Sequence, residues 1–474
     1  MSQSYIVNLF RKLNLDDKAV NSFFNNSFLA RILSSLSVLV RKIPFIKENY
    51  KTSFIAKNID NFYFVVLAAL LFSLTFAPTF LFGVLLVLLI AISVFKMLLN
   101  FEKFDISVVH VPVILFLALL AVSCAFSSLF IPSFKGLAKM IMYICGYFSV
   151  FDYLRENPKR IFTVIMLVAI SASAEVLLVW KQYIAGVEPL ASWQDTSNVN
   201  PENLMNRVYG TLKPYNPNLL AGYLLASVPF IAASSLLLVI KKHLKAGLMF
   251  LLFTLLGLGA IVLTGCRAGY LAILASFVFG FIVLFKSYAK NPEIKKRIII
   301  GAVVLALIGL FVVLSNSSLM HRISSIFTFR GDSSNSYRMN VYASTFKMFL
   351  DNFWIGVGPG NTTFRLMYGL YMVTGFDALG AYNIYLEMAA ESGIFAPFLF
   401  LWAVLLAFAK ALKNAFLSTS LSVKIMVFTA ALAIFSMLIH GLFDTIWYRP
   451  QVQILFWLSL AILSVFTKKV YTDV

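Results

Sequence analysis

The sequence predicts an all-α, polytopic membrane protein with about twelve transmembrane helices. Of its 474 residues, 60% are hydrophobic and only 12% are charged, and long apolar runs recur between short polar breaks. Soluble domains usually carry about 25% charged residues, and one soluble core could not bury this much apolar surface. A lipid bilayer can accommodate it, and the 47 Phe suit lipid-facing helix surfaces.

Twelve apolar runs account for the predicted transmembrane helices. A helix that crosses the hydrocarbon core needs about 20 mostly apolar residues, and polar breaks separate runs of about this length. The runs are 62–76, 79–99, 108–131, 136–153, 161–183, 217–240, 246–264, 267–286, 298–316, 382–409, 423–442 and 451–467. The break at Ala77-Pro78 allows either a loop between the first two runs or a proline kink.

The loop charges predict the orientation of these helices. If the N-terminus lies in the cytoplasm, the loops on that side contain roughly two thirds of the 39 Lys and Arg, as the positive-inside rule requires. Short inner loops show the bias by themselves, for example at Lys241-Lys242 and Lys468-Lys469. We therefore expect both termini in the cytoplasm.

Three parts of the chain are predicted: a cytoplasmic N-terminal segment 1–61, a transmembrane domain 62–467 and a cytoplasmic tail 468–474. Within the first part, apolar residues recur at helical spacing over 28–43, with Arg and Lys nearby. This pattern predicts an amphipathic helix that lies on the inner leaflet. A loosely ordered basic tail is the alternative.

Two connections on the predicted outer side are long, 184–216 and 317–381. Long loops in compact proteins are usually functional or disordered. The second connection, between the ninth and tenth runs, is rich in aromatic residues and has a helical pattern over 337–350, so we expect a folded, partly helical cap. Its turn 356–361 lacks the Lys of a Walker motif. The turn is therefore either a backbone nest for an anion or a plain turn packed against a helix.

The charge and the Cys and His content exclude several classes of function. A net charge of +19 would suggest nucleic-acid binding in a soluble protein, but Lys and Arg of cytoplasmic loops account for it in a membrane protein. The three Cys form no CxxC pair, so we predict neither a disulfide framework nor a metal site. The four His lack a ligand spacing such as HExxH. We expect no metal, no cofactor and no nucleic acid.

Three arginines lie near the predicted outer membrane surface. Arg267 is in the turn between two runs, Arg338 is in the long outer loop, and Arg449 is in the last outer turn. A charged side chain in or near the membrane costs free energy, so each such residue is expected to have a structural or functional role. A guanidinium group offers a rigid fork of donors that suits phosphate oxygens, so the three could converge on one anion. Alternatively, each pairs only with a neighbouring carboxylate or a lipid phosphate.

Two pairs of ionisable residues are spaced by four positions. Glu387 and Glu391 share one face of the predicted helix 382–409. A carboxylate held near the outer end of that helix could serve as a base or as the structural partner of an arginine. His440 and Asp444 lie at the end of another run, where they form either a proton-handling pair or a cap of the helix end.

Four motifs carry a resemblance to a known family. They are Tyr215-Asn-Pro-Asn-Leu-Leu-Ala-Gly222, the Arg267 turn, Arg338 followed by Asp351-Asn-Phe-Trp-Ile-Gly-Val-Gly-Pro-Gly-Asn361, and Tyr382-Asn-Ile-Tyr-Leu-Glu-Met-Ala-Ala-Glu-Ser-Gly393. In this order, and with the long outer loop, they resemble the O-antigen ligase/polymerase superfamily of bacterial membrane glycosyltransferases. Segment 441–453 is most similar to the IctB-like branch, whose members are labelled as bicarbonate transporters.

The resemblance implies a chemistry and a location. Members of this superfamily transfer a glycan from undecaprenyl pyrophosphate to an acceptor hydroxyl on a glycan, lipid or protein, at the outer face of the bacterial inner membrane. The transfer inverts the anomeric centre and needs neither a metal nor a nucleotide. Fixed guanidinium groups stabilise the charge on the departing pyrophosphate. In the ligases these arginines come from the positions that Arg267 and Arg338 match.

One position departs from the ligases. They have His where this chain has Tyr382, and a phenol with a pKa near 10 is a poor base at neutral pH. Three options follow. Glu387, Asp444 or His440 acts as the base, or a base is hardly needed, or the chain is not a ligase.

The predicted site therefore has two sets of residues. The catalytic set is Arg267, Arg338, Glu387 and Tyr382, and the substrate-binding set is Arg449, Asp444, His440, Asn218 and Asn361. The alternatives to a glycosyltransferase are an anion or bicarbonate transporter and an inactive protein that binds lipid-linked glycans. A transporter would place its charges near the bilayer midplane. Here they lie at the predicted outer surface, which favours the enzyme.

Overall fold

The computed structural model describes residues 16–43, 53–101, 103–186, 207–288, 291–327, 333–468 and 471, and over these residues the chain is helical without a strand. Parts of the predicted N-terminal segment, most of the outer connection 184–216 and most of the predicted tail lie outside the described residues. The first seven helices are α1 (Asp17–Asn25), α2 (Phe28–Lys42), α3 (Phe54–Phe72), α4 (Thr79–Asn100), α5 (His110–Phe126), α6 (Phe130–Glu156) and α7 (Arg160–Ala185).

Eleven more helices complete the described chain. They are α8 (Pro217–Ile240), α9 (Leu244–Leu263), α10 (Arg267–Ser287), α11 (Pro292–Leu314), α12 (Ser317–Ser324), α13 (Ser333–Asp351), α14 (Asn361–Tyr368), α15 (Ile384–Ser392), α16 (Phe395–Leu417), α17 (Leu421–His440) and α18 (Pro450–Thr467). Local sequence explains several starts. Asn216 accepts backbone N–H bonds at the start of α8 and precedes Pro217, and Asn383 caps α15 in the same way.

The prediction of an all-α, multi-pass membrane protein is confirmed. Eleven described helices are long and apolar enough to cross a membrane, or twelve if the bent pair α1–α2 is one span. The apolar α5, with 17 residues, is slightly shorter than these. Residues Ser73–Thr75 form a 3-10 turn and α4 begins at Thr79, so a short connection, and not a kink in one helix, separates the first two predicted runs.

The predicted helix 382–409 is wrong in one respect, because it is two helices. Gly393 separates α15 from α16 and has a left-handed φ of 81°. A Cβ at this position would overlap the carbonyl group of Trp354, so the backbone here needs glycine. Apolar residues on both sides hide the break from a hydropathy reading. As a result, Glu387 and Glu391 lie on the short helix α15 and not on the span that follows it.

The boundary between the third and fourth predicted runs also differs from the prediction. Helix α5 ends at Phe126 and α6 begins at Phe130, six residues before the predicted start at 136. Pro132 lies in the first turn of α6, where a missing N–H costs nothing. This shift places Lys135 within the helix.

The predicted amphipathic helix near the N-terminus is present as α2. Its residues Phe28, Leu36 and Leu39 are exposed, while Arg41 on the opposite side donates to the carbonyl of Phe101 at 2.9 Å. The alternative of a loosely ordered tail is therefore wrong for residues 28–42. That the exposed apolar side lies on the inner leaflet stays a prediction.

Helix α18 occupies the centre of the bundle. Every one of its residues is buried, and it packs against α6, α16 and α17. In contrast, α11 has no buried residue and lies beside α10 and α12. The bundle therefore has a protein-enclosed axis, and the residues that lead into α18 are held on several sides.

A folded cap, defined as residues 333–392, covers one end of the bundle, as the sequence predicts for the long outer connection. It consists of α13, α14 and α15 and has its own core of buried residues. These are Val341, Met348, Phe349, Val357, Phe364, Tyr368, Ala378, Ala381, Ala389 and Ala390. The predicted helix 337–350 lies within α13. Turn 356–361 packs directly on α6 at Gly136, so the packed-turn interpretation is confirmed.

We expect Gly136→Ala to weaken the attachment of the cap to α6. A Cβ at Gly136 would overlap the backbone of Pro359 and Gly360, and such overpacking typically costs about 1–3 kcal/mol. Thermal unfolding of the purified protein in detergent, followed by proteolysis of the cap, measures the effect. The control is Gly83→Ala in α4, where a Cβ has open space and alanine favours the helix. Equal stability of the two variants would contradict the packing described here.

Candidate functional site

Asp444 connects the cap to the bundle. It lies in the connection between α17 and α18, and its Oδ2 accepts hydrogen bonds from Arg338 Nη2 of the cap at 3.2 Å and from Asn218 Nδ2 of α8 at 2.6 Å. The side chains of Arg338 and Asp444 are only 18% and 7% exposed. The structure therefore brings together three predicted residues that lie more than 100 positions apart. The Asp444 carboxylate also raises the pKa of Arg338, although burial alone would lower it.

Arg207 joins this cluster, and the sequence analysis missed it. Its Nη2 donates to Asn218 Oδ1 at 2.6 Å and its Nε donates to the carbonyl of Thr264 at 2.8 Å. Asn218 thus bridges Arg207 to Asp444. Burial, and after it the charge of nearby Arg322, lowers the pKa of Arg207 to about 10. The sequence contained a signal for Arg207 as a site residue, because it shortly precedes the 215–222 motif on the predicted outer side.

Arg267 is the first residue of α10 and is almost fully buried. Its Nη1 donates to the carbonyl and the hydroxyl oxygen of Ser325, at 3.3 and 3.2 Å. Nearby, Arg322 Nε donates to the carbonyl of Gly265 at 2.9 Å. The Arg267 turn and the end of α12 are therefore held together by arginine hydrogen bonds.

His440 pairs with Cys266, not with Asp444. The His440 Nε2 and Cys266 Sγ atoms are 3.5 Å apart, and both residues are buried. Of the two interpretations of His440 and Asp444, a proton-handling pair or a cap of the helix end, the described residues show no hydrogen bond for the pair, because α17 ends at His440, where Gly441 follows. Asp444 instead faces Arg338 and Asn218.

Within the described part of the chain, two arginines of this site have a buried donor without a hydrogen-bond partner. These donors are the Nε atoms of Arg338 and Arg449. The Arg449 guanidinium lies 4.5 Å from the ring centre of Tyr448, and Arg449 immediately precedes α18. A buried N–H without an acceptor costs free energy. An anion that binds between the cap and the bundle would supply the missing acceptors.

Glu387 lies on the other side of the same connection. Its Oε2 accepts from the backbone N–H of Ala381 at 2.7 Å and from the hydroxyl of Thr445 at 2.8 Å. Thr445 follows Asp444 in the chain. Two adjacent residues therefore contact the Glu387 carboxylate and the arginine cluster, respectively. Burial raises the pKa of Glu387, and the Asp444 charge adds to this effect. Because Oε2 is occupied as an acceptor, a proton on this group belongs on Oε1.

A cavity of about 370 Å³ lies between α6, turn 359–362, α15 and the start of α18. Glu387 and Glu391 line it together, as their spacing on one helical face predicts. Burial and the neighbouring Glu387 raise the pKa of Glu391 well above its ordinary value. Asn361 also lines the cavity and donates to the carbonyl of Leu379 at 3.5 Å.

Tyr382 contacts the arginine cluster through its ring. The ring centre is 5.4 Å from the Arg338 guanidinium carbon, and the Tyr382 carbonyl accepts from the hydroxyl of Tyr342 at 3.1 Å. Its φ of 53° is left-handed, an unusual conformation for a residue with a side chain. Burial raises the pKa of Tyr382. The hydroxyl therefore stays protonated at neutral pH, and the ring lies against the Arg338 guanidinium.

Residues 251–401 match the family described as O-antigen ligase. This segment is an O-antigen ligase domain. The domain extends from α9 into α16 and includes Arg267, Arg338, Tyr382 and Glu387. The predicted superfamily is thereby confirmed, and the chain has the features of a glycosyltransferase-like membrane enzyme of the ligase type. The IctB-like branch stays a prediction. No curated protein matches the chain.

The ligase domain does not contain the whole candidate site. Arg207 and Asn218 precede the matched segment, and Asp444 and Arg449 follow it. The hydrogen bonds to Asp444 bring both flanking regions to the domain. Within the described ranges, no group of three or more His, Cys, Asp or Glu is arranged to hold a metal ion.

We expect Asp444→Ala to destabilise the protein by about 3–5 kcal/mol, because it leaves the buried Arg338 guanidinium without its carboxylate. The matched control is Asp377→Ala. Asp377 pairs with Arg365 on the same cap, but both side chains are more than half exposed, so the loss should stay within about 1 kcal/mol. Denaturant or thermal unfolding in detergent compares the two. A similar, small effect in both variants would show that the Arg338–Asp444 pair does not hold the cap.

Proposed function

We propose that the chain transfers a glycan from undecaprenyl pyrophosphate to an acceptor hydroxyl at the outer face of the bacterial inner membrane. One observation carries this proposal. A buried carboxylate that faces a cavity, Glu387, and an arginine cluster around Arg338 meet at the adjacent residues Asp444 and Thr445. Glycosyl transfer from a pyrophosphate needs both features, a group that accepts a proton and cations that stabilise the leaving group.

The arginines receive the charge that develops on the leaving group. In the proposed step, the acceptor oxygen forms a bond to the anomeric carbon while the bond from that carbon to the pyrophosphate oxygen breaks. Attack from the opposite side inverts the anomeric centre. The bonding electrons leave with the pyrophosphate, next to Arg338 and Arg449, whose buried Nε donors are unused in the described chain. Arg207 and Arg267 add positive charge and hold the surrounding turns, and no metal ion is required for this charge stabilisation.

Glu387 receives the proton of the acceptor hydroxyl. Its Oε2 is already held by Ala381 and Thr445, so Oε1 is the atom that binds the proton. Glu387 lines the cavity, which gives an acceptor access to it. Tyr382, at the position of the ligase histidine, orients the Arg338 guanidinium and does not act as the base.

The distribution of charge supports the proposed orientation. The cap lies at one end of the bundle, and the loops at the other end contain most of the Lys and Arg. The positive-inside rule then places the cap outside and both termini in the cytoplasm. In this orientation, the site opens toward the leaflet in which an externalised lipid-linked glycan resides.

We expect Arg338→Ala and Arg449→Ala each to reduce glycan transfer by roughly 10²–10³-fold, the usual effect of removing one donor from a developing anion. The measurement is transfer from a polyprenyl pyrophosphate-linked oligosaccharide by the purified protein, with elution volume as the check on folding. Arg365→Ala, on the exposed surface of the same cap, serves as the control. Unchanged transfer in both site variants, or bicarbonate uptake into proteoliposomes without transfer, would contradict the proposal.

The role proposed for Glu387 as the base also predicts that the rate of transfer depends on pH. As a base it must be deprotonated, and burial raises its pKa. Transfer should therefore rise with pH through a limb that lies above the ordinary Glu value of about 4.3. Glu387→Gln should reduce kcat strongly and remove this limb, while Glu391→Gln, one turn away, should retain it. An unchanged acid limb in Glu387→Gln would exclude Glu387 as the base.

A further inference from the structure

A carboxyl group that does not line the candidate cavity lies buried in the bundle. Glu175 is within α7, and none of its surface is exposed. Its Oε1 accepts from the backbone N–H of Thr211 at 2.7 Å, and its Oε2 is 2.5 Å from the Thr211 hydroxyl oxygen. In the part of the chain that the structure describes, no cation pairs with Glu175. An ionised carboxylate without a counter-charge costs much free energy to bury, which favours a neutral form of this group.

The hydrogen bonds of Thr211 indicate where the proton is. Its hydroxyl contacts two acceptors, Glu175 Oε2 and, at 3.1 Å, the carbonyl oxygen of Thr75. A hydroxyl has one proton to donate, and a carbonyl can only accept. If Glu175 were ionised, this proton would have to serve both acceptors, and one buried oxygen would lose its donor. If Oε2 carries a proton, it donates to Thr211, Thr211 donates to Thr75, and each of these atoms has a partner.

Glycine at position 210 allows the close approach of Glu175 to this segment. Gly210 has a left-handed φ of 65°, and a Cβ there would lie only 2.2 Å from Glu175 Oε1. About two turns further along α7, Gln182 Oε1 accepts from the backbone N–H groups of Tyr209 and Gly210, both at 2.9 Å. Two side chains of α7 therefore hold three consecutive backbone N–H groups, those of residues 209–211.

The segment that α7 holds carries Arg207 into the candidate site. Arg207 is two residues before Tyr209, and its Nη2 donates to Asn218 Oδ1 at 2.6 Å. Asn218 in turn donates to Asp444 at 2.6 Å. A continuous set of hydrogen bonds therefore runs from α7 to the arginine cluster. The position of the Arg207 guanidinium relative to Asp444 depends on how firmly α7 holds residues 209–211.

The groups that surround Glu175 in the described ranges provide no positive charge to stabilise its ionised form. Helix α7 packs against α3, α8, α9, α17 and the 3-10 turn Ser73–Thr75. From these elements, the titratable side chain that faces Glu175 is Tyr223 of α8, which is fully buried. A phenol is neutral at neutral pH. The protonation state of Glu175 is therefore set by its burial and by Thr211, without a partner charge.

We propose that Glu175 carries a proton in the folded chain and acts as a positioning residue for Arg207. As a neutral acid it accepts from the Thr211 N–H, donates to the Thr211 hydroxyl and so holds the Arg207 segment against α7. Loss of the proton turns the Thr211 hydroxyl toward Oε2, leaves the Thr75 carbonyl without this donor and loosens the segment. Only the effect on transfer rests on the proposed function, because the proton and the contact are measurable without it.

Thermal unfolding of the full chain in detergent, measured as a function of pH, tests for the proton. An amide has the donor and the acceptor of a neutral acid, so Glu175→Gln should fold normally. The unfolded wild type releases the proton above about pH 4.3, whereas the folded chain keeps it. Wild type should therefore lose stability relative to Glu175→Gln as pH rises above that value. The control is Glu156→Gln, whose carboxylate pairs with Lys96 and which should not show this trend. A difference between wild type and Glu175→Gln that stays constant, or changes in favour of wild type, would overturn the proposal.

Infrared difference spectroscopy of the full chain in nanodiscs detects the proton directly, because a protonated carboxyl group has a carbonyl stretch that an ionised one lacks. At neutral pH, Glu175→Gln should lose one such band and Glu156→Gln should retain it. An unchanged band in Glu175→Gln would overturn the proposal. Neither the band nor the unfolding midpoint involves glycan transfer, so a chain that transfers no glycan would refute the proposed function alone.

Trypsin cleavage after Arg207 measures the hold on the segment. Over residues 182–240 the sequence contains one other Lys or Arg, Lys213, and the proline that follows it blocks cleavage there. Cleavage should be slow in wild type and Glu175→Gln, and roughly tenfold faster in Glu175→Ala, which leaves buried groups unpaired. The control is Ser173→Ala, since this buried α7 hydroxyl has no hydrogen-bond partner among the described residues. Cleavage of Glu175→Gln as fast as Glu175→Ala, or of Glu175→Ala no faster than wild type, would overturn the positioning role.

Discussion

The ion pair between Arg338 and Asp444 is the interaction on which the rest of the site depends. It joins the cap to the connection that leads into the buried central helix α18, and Asn218 extends it to α8. Removal of one partner from a buried ion pair is strongly destabilising, because the other charge stays buried without compensation. The same connection holds Thr445 against Glu387, so one short segment orients the arginines and the carboxylate together.

A backbone contact sets the other wall of the site. Turn 356–361 packs on Gly136 so closely that a single methyl group would overlap it. This contact places the cavity between α6 and α15, where Glu387 and Glu391 line it. The candidate site combines the O-antigen ligase domain at 251–401 with residues from both flanking regions, and the proposed transfer uses all three parts of the chain.

Sequence patterns predicted the membrane-spanning helices well, because a long apolar run can adopt few other structures outside a lipid bilayer. They did not predict the break at Gly393, since apolar residues continue on both sides and only the Ser392-Gly393 step marks it. The Cys266–His440 contact and the role of Arg207 depend on tertiary packing, which no local spacing reports.

A structure of the chain with bound undecaprenyl pyrophosphate, determined by electron cryomicroscopy in nanodiscs, tests the central claim most directly. The account predicts that the pyrophosphate lies between the cap and the bundle, within hydrogen-bonding distance of the Arg338 and Arg449 guanidinium groups, with Glu387 facing the sugar-bearing side. A pyrophosphate bound away from both arginines, with the Arg338–Asp444 pair as it is here, would contradict the account.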